Sequence, residues 1–264
     1  MRIKGIKIDE DVARILNEQD NDFPEGSFAA WYGEDLSGQT YDGDLDCSYS
    51  RLTSLYGAPK EVSGYFDCSY NKLTSLEGAP EKVGRAFNCL YNRLTSLKGA
   101  PKEVGRYFAC SHNQLTSLEG SPKEVGEGFD CSHNKLTSLE SAPKELGGSF
   151  YCSNNNLISL EGAPQEVRGD FRCEYNNLTS LEGAPKEVEE DFDCSNNSLT
   201  SLKGAPKEVQ GHFNCSGNRL TSLEGAPKEV DGNFICLNNP GLKSLEGIGS
   251  VIGEIIPYLD EDGE

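Results

Sequence analysis

The residues of this chain best equipped for chemistry are its ten cysteines, at positions 47, 68, 89, 110, 131, 152, 173, 194, 215 and 236, each 21 residues after the last. A thiolate can attack an electrophile, ligate zinc or close a disulfide, and each use demands its own neighbourhood. Zinc sites favour close pairs such as Cys-x-x-Cys, which do not occur here, and only three histidines exist to complete one. Each cysteine sits instead in a recurring phrase, as in Phe66-Asp67-Cys68-Ser69-Tyr70-Asn71-Lys72-Leu73-Thr74-Ser75-Leu76-Glu77-Gly78-Ala79-Pro80, followed by Val83. Phe66 and Cys68 alternate around Asp67, the period-two pattern of a short strand with both apolar side chains turned inward. Stacked parallel strands lie about 4.8 Å apart and point such thiols the same way, wider than the roughly 3.8 Å between bridged Cβ atoms. The reading is ten reduced, buried thiols acting as small apolar residues, with no disulfide, metal or cofactor.

The elements that position them belong to a repeat. A unit of 21 residues cannot bury its own apolar face, so neighbouring units must cover one another in a solenoid. Asn71 ends the strand, and its column (Asn92, Asn113, Asn134, Asn155, Asn176, Asn197, Asn218, Asn239, with Ser50 in the first unit) is expected to run as a buried polar ladder. A central member such as Asn134 is expected to matter more than Asn239 near the end. Leu73 and Leu76 return to the core, Val83 faces it from the far wall, and Ala79-Pro80 excludes a long helix between them. The predicted fold is a solenoid with a parallel sheet on one face and an irregular, turn-like or extended convex side. Its divisions are an N-terminal cap over 1–43, ten repeats over 44–246, and a C-terminal cap with an acidic tail over 247–264. Within the caps, the patterns predict a strand at 3–8 and a helix over 9–18. They also predict a strand at 27–32 laying Trp31 over the first repeat, and a closing strand around Val251–Ile256.

The phrase resembles Leu-x-x-Leu-x-Leu-x-x-Asn/Cys-x-Leu, the pattern of the leucine-rich repeat, with Phe and Cys in the strand's apolar slots. The resemblance covers residues 44–251 and is nearest the short bacterial and phage subtype, in which Leu-Thr-Ser-Leu precedes a proline-containing convex segment. Here that segment reads Glu-Gly-Ala-Pro-Lys-Glu-Val. The resemblance implies a leucine-rich-repeat stack that binds a partner protein through its sheet face.

A net charge of −19 argues against binding nucleic-acid phosphates or an anionic membrane and favours a partner with a basic surface. No run of about 18 apolar residues or secretory leader is evident, so a soluble cytoplasmic protein is expected. Neither a catalytic triad nor a glycine-rich phosphate loop occurs, which argues against an enzyme.

The repeats act as their own control, since a unit that departs from the others marks a demand beyond folding. The residue after Cys is serine in seven units but Leu90, Glu174 and Leu237 elsewhere. Combining the outward columns predicts one partner-binding patch of Tyr65, Tyr70, Leu90, Tyr91, Tyr107 and His112, flanked by Arg85 and Arg106 where most units carry glycine. Tyrosines lining a sheet for stability alone is the competing reading. Across the same columns Asp44, Asp46, Asp67, Asp130, Asp170, Glu174, Asp191 and Asp193 oppose the single base Arg172, an arrangement suited to steering a basic partner. Solubility and a calcium site at Asp170, Asp191 and Asp193 are the alternatives. The expected function is a non-catalytic protein-binding scaffold acting as inhibitor or adaptor. The alternatives are an acidic nucleic-acid mimic in a basic groove, or a component of a larger assembly.

Overall fold

The computed structural model describes residues 23–257; the strand expected at 3–8, the helix at 9–18 and the acidic tail from Leu259 lie outside them. Each repeat contributes two short parallel strands. Those of the sheet face run from Leu45–Asp46 through Phe66–Asp67 to Phe234–Ile235 and Ile255–Ile256, an unbroken sheet of eleven strands. Successive strands pair in a register of one repeat, Phe66 with Phe87 and Phe213 with Phe234. The architecture is a leucine-rich-repeat stack.

Its opposite wall is extended chain and turn, as the Ala-Pro pairs require, and the extended part forms short ladders of its own. Six strands from Thr40–Tyr41 to Glu145–Leu146 make one sheet, and five from Glu166–Val167 to Ser250–Val251 make another. The break falls after the one unit with glycine at both positions following its wall residue, Gly147 and Gly148.

Between the walls lie the side chains that the period turned inward. Phe66, Cys68, Leu73, Leu76 and Val83 are all fully buried, as are their counterparts along most of the stack. Neighbouring phenylalanine rings stack with centroids 5.1–5.8 Å apart. At roughly 1.5–3 kcal/mol per fully buried large apolar side chain, this column is a main source of stability.

All ten cysteines are buried outside any disulfide, and burial pushes the nine thiols from Cys47 to Cys215 well above the ordinary range. Several bond the next rung instead, as Cys89 Sγ does to the Ala109 carbonyl at 3.3 Å. A fast thiol reagent should therefore label almost none of the ten in the native protein and all of them in denaturant. Substantial native labelling would show that the strands face the other way.

The asparagine column fastens one rung to the rung before it. Asn92 Oδ1 accepts the Leu73 N–H at 2.9 Å, while Nδ2 donates to the carbonyls of Cys68 and Cys89 at 3.0 and 3.1 Å. Ser50 stands in the first unit because no earlier repeat exists for it to fasten; its hydroxyl turns to the Ser48 carbonyl.

The first cap differs from expectation. Residues Phe28–Tyr32 form a short helix, α1, rather than a strand. Ser27 accepts the Ala30 N–H at its start, and Gly33, in the left-handed conformation, closes its end. Five residues are too few for a free-standing helix, so contacts hold it. The N–H groups of Phe28 and Ala29 bond the carbonyls of Ser54 and Tyr56, and the ring of buried Phe28 lies 6.2 Å from that of Phe66. Phe28 thus covers the first repeat, and Trp31 is 41% exposed. At the other end, Ser250–Val251 and Ile255–Ile256 each extend one sheet by a strand.

Candidate partner-binding face

Three outward columns and one turn column make up the sheet face. The residue before each cysteine is most often Asp or Asn, and the reason is local. The side-chain oxygens of Asp46, Asp67, Asp130 and Asp193 accept the N–H two residues on, at 2.8–2.9 Å, and Asn88 and Asn214 do the same at 3.3 and 3.1 Å. These are Asx turns that end six of the ten strands. Three residues before the cysteine, Asp44, Asp170 and Asp191 each accept the N–H of the same column one rung later, that of Tyr65, Asp191 and His212. Seven of the eight acids expected to steer a partner therefore also hold backbone.

Glu174 differs in bonding only its own N–H: its Oε2 is buried without a partner, and burial raises its carboxyl above the usual range despite hydrogen bonds with its own N–H and with Ser153. Arg172 bonds Asp170 at 3.2 Å and reaches Asp191 at 3.6 Å, so a guanidinium supplies the positive charge at the place considered for calcium. Among the described residues no three His, Cys, Asp or Glu side chains group as metal ligands.

The column two after cysteine is not a strand position. In every unit its φ is positive, from Tyr49, Tyr70, Tyr91, His112 and His133 to Asn154, Tyr175, Asn196, Gly217 and Asn238. Asparagine and glycine take this left-handed conformation readily; a tyrosine there gives up about 1–2 kcal/mol. Five rings offset part of it by stacking: Tyr49 on Tyr70, Tyr70 on Tyr91, Tyr91 on His112 and His112 on His133, with centroids 4.1–4.5 Å apart. At about 0.5–1.5 kcal/mol per aromatic contact, four contacts return only part of what five left-handed residues give up, and the ladder stands as an aromatic edge of the sheet face. Burial and the neighbouring His133 lower the His112 pKa from its ordinary value. Tyr175 takes the same backbone conformation, 56% exposed, with Asn154 and Asn196 as its neighbours in the column.

The single patch expected from sequence is therefore two. Tyr70, Tyr91 and His112 belong to the stacked ladder. Tyr65, Arg85, Arg106 and Tyr107 line a hollow of about 380 Å³ together with Asp67, Ala86, Asn88 and Glu127. Leu90, half-buried, lies in the strip between them, its N–H turned to Asn88. The hollow exists because Ala86 stands between Tyr65 and Tyr107 in their column. Tyr107 keeps its place because Gly128 has no side chain: a Cβ there would lie 2.5 Å from its ring. Burial pushes the Tyr107 phenol well above its ordinary pKa. Both arginines are held at the rim, Arg85 3.7 Å from Asp44 and Arg106 2.6 Å from Glu127.

On the other wall, Lys stacks on Lys and Glu on Glu, except where Gln165 stands in the lysine column and in the unit where the order is inverted to Glu81-Lys82. There Lys82 pairs with Glu103 at 2.7 Å and Glu81 with Lys102 at 3.1 Å. These pairs are more than half exposed and contribute little to stability.

Fold and face together define a leucine-rich-repeat solenoid with an open, side-chain-studded sheet. No family model matches the chain, and no curated protein does. Among solved structures it aligns with YopM from Yersinia enterocolitica WA-314 at 18% identity and a TM-score of 0.30, over 97% of this chain and 76% of that one. No helix among the described residues is long and apolar enough to cross a membrane.

Proposed function

We propose that this chain is a non-catalytic scaffold of bacterial or phage origin that holds a partner protein against its sheet face in the cytoplasm and thereby inhibits or recruits it. One observation carries the reading. Arg85 and Arg106, which stand where six of the ten units carry glycine, and Tyr65 and Tyr107, the two tyrosines of a column in which no residue prevails, converge on one hollow in an otherwise regular sheet. Tyrosine and arginine are among the residue types that anchor interfaces, and folding of the repeat asks for neither at these places. The net charge of −19 suits a partner with a basic surface.

The test is capture of a partner from a lysate of the source cells, followed by substitution on both sets of residues. Tyr65→Ser or Tyr107→Ser should weaken binding by at least about 2 kcal/mol, roughly thirtyfold. Asp193→Asn should keep the fold, because Asn88 and Asn214 make the same turn, and should mainly slow association at low salt. If the aspartates dominate and affinity collapses with salt, the chain is an acidic mimic of nucleic acid. Self-association without a partner would point to a structural component.

A further inference from the structure

The hollow between Tyr65 and Tyr107 has the form of a stack with one ring missing. Elsewhere in the molecule, neighbouring units place aromatic rings in contact one rung apart, at 5.1–5.8 Å for the phenylalanines and 4.1–4.5 Å in the exposed ladder. In the column of Tyr65 and Tyr107 the middle rung carries Ala86, so two tyrosines stand two rungs apart with a methyl group as floor. Gly128 lets the Tyr107 ring lean toward the following rung, which widens the gap.

The charges around the hollow indicate what kind of group enters it. Arg85 is paired with Asp44 and Arg106 with Glu127. Asp67 is occupied on both oxygens, by the Ser69 N–H and by Asn88 Nδ2. A charged occupant would find no free counter-charge and would lose hydration for nothing. A neutral aromatic ring loses little and stacks its two faces on the tyrosines.

Resting on the scaffold reading, we infer that the slot over Ala86 receives one uncharged aromatic side chain of the partner, a tyrosine, tryptophan or phenylalanine, as its anchor. The ring completes the interrupted column. The slot's capacity for a ring is a property of this chain alone and can be measured without the partner.

The probe is 4-methylphenol, the side chain of tyrosine, titrated into the full chain while the Ala86 methyl resonance is followed by NMR. A ring that completes the column meets that methyl with its edge and should shift its resonance with saturation in the millimolar range, whereas 4-methylbenzoate and 4-methylbenzylammonium should bind at least tenfold more weakly. Ala86→Tyr fills the slot with a residue that the same column already holds on both sides, and should abolish the binding. Tyr65→Ser, which removes a wall, should weaken it at least tenfold, and Tyr91→Ser, in the separate ladder, should leave it unchanged. Absence of a saturable Ala86 shift, or equal binding by Ala86→Tyr, overturns the slot while leaving the scaffold reading to its own test. An Ala86→Tyr chain that holds the captured partner as tightly as wild type also overturns it.

Discussion

Asn239→Ala should cost at least about 2 kcal/mol of stability and as much as or more than Asn134→Ala, although Asn239 stands in the last repeat and Asn134 in the middle. Position along the stack suggested the reverse. The hydrogen bonds explain the change, because each asparagine is fastened to its own rung and the one before it. Asn239 accepts the Leu220 N–H at 3.1 Å and donates to the carbonyls of Cys215 and Cys236, both at 3.1 Å. It is 0% exposed. Removing its amide strands a buried N–H and a buried carbonyl, each worth about 1–3 kcal/mol when left unpaired. Asn134 makes the same bonds but is only half-buried, so water can replace part of what is lost. Denaturant midpoints followed by circular dichroism would decide the order. A larger shift for Asn134, or negligible shifts for both, would contradict the fastening role.

The same hydrogen bonds show which parts of the molecule were legible in its residues. Phe66, Cys68, Leu73, Leu76 and Val83 recur with one period and one polarity, so their inward direction, the stack and the asparagine ladder could all be read directly. Charge was harder. Asp67 and Asp193 counted as acids suggest steering, but the column also holds Asn88 and Asn214, and that interchange is the mark of an Asx turn, where an oxygen matters and a charge does not. The tyrosine column carried a comparable sign. Asn154, Asn196, Gly217 and Asn238 share it with Tyr70 and Tyr91, and those are the residue types that take a positive φ. In the first cap, aromatic density at Phe28–Tyr32 favoured a strand, whereas Ser27 and Gly33 bracket the segment as caps bracket a helix. Periodicity reveals what all units share. The hollow over Ala86 depends on the ring sizes of three successive units and on the lean of Tyr107 over Gly128, which only the packed structure provides.

Gly126→Ala is expected to destabilise the stack by about 3 kcal/mol or more, the upper end of overpacking costs. A backbone argument alone gives the opposite sign: Gly126 is not among the glycines with positive φ, so alanine should gain about 0.4–1 kcal/mol by restricting the unfolded chain. The obstacle is the preceding rung. A Cβ on Gly126 would lie 2.0 Å from the Gly105 carbonyl oxygen, and the same approach recurs at Gly84, Gly105 and Gly147, at 2.1 Å in each. That carbonyl cannot swing aside, because Gly105 N–H is bound to Val83 and Gly126 N–H to Val104, at 2.9 and 3.1 Å. The rungs would have to part, breaking the register of Glu103 with Glu124 and Val104 with Val125. Arg168 holds the same column two units later, exposed and beyond the break in the wall, so Arg168→Ala should change stability by less than about 0.5 kcal/mol. The consequence reaches the partner face, since Gly84 and Gly105 directly precede Arg85 and Arg106 and fix how closely those two arginines approach across the rim of the hollow. Paired thermal melts of the two alanine variants test the claim: a Gly126→Ala midpoint at or above wild type would mean that the wall yields, and that the close spacing of these rungs is not what places the arginines.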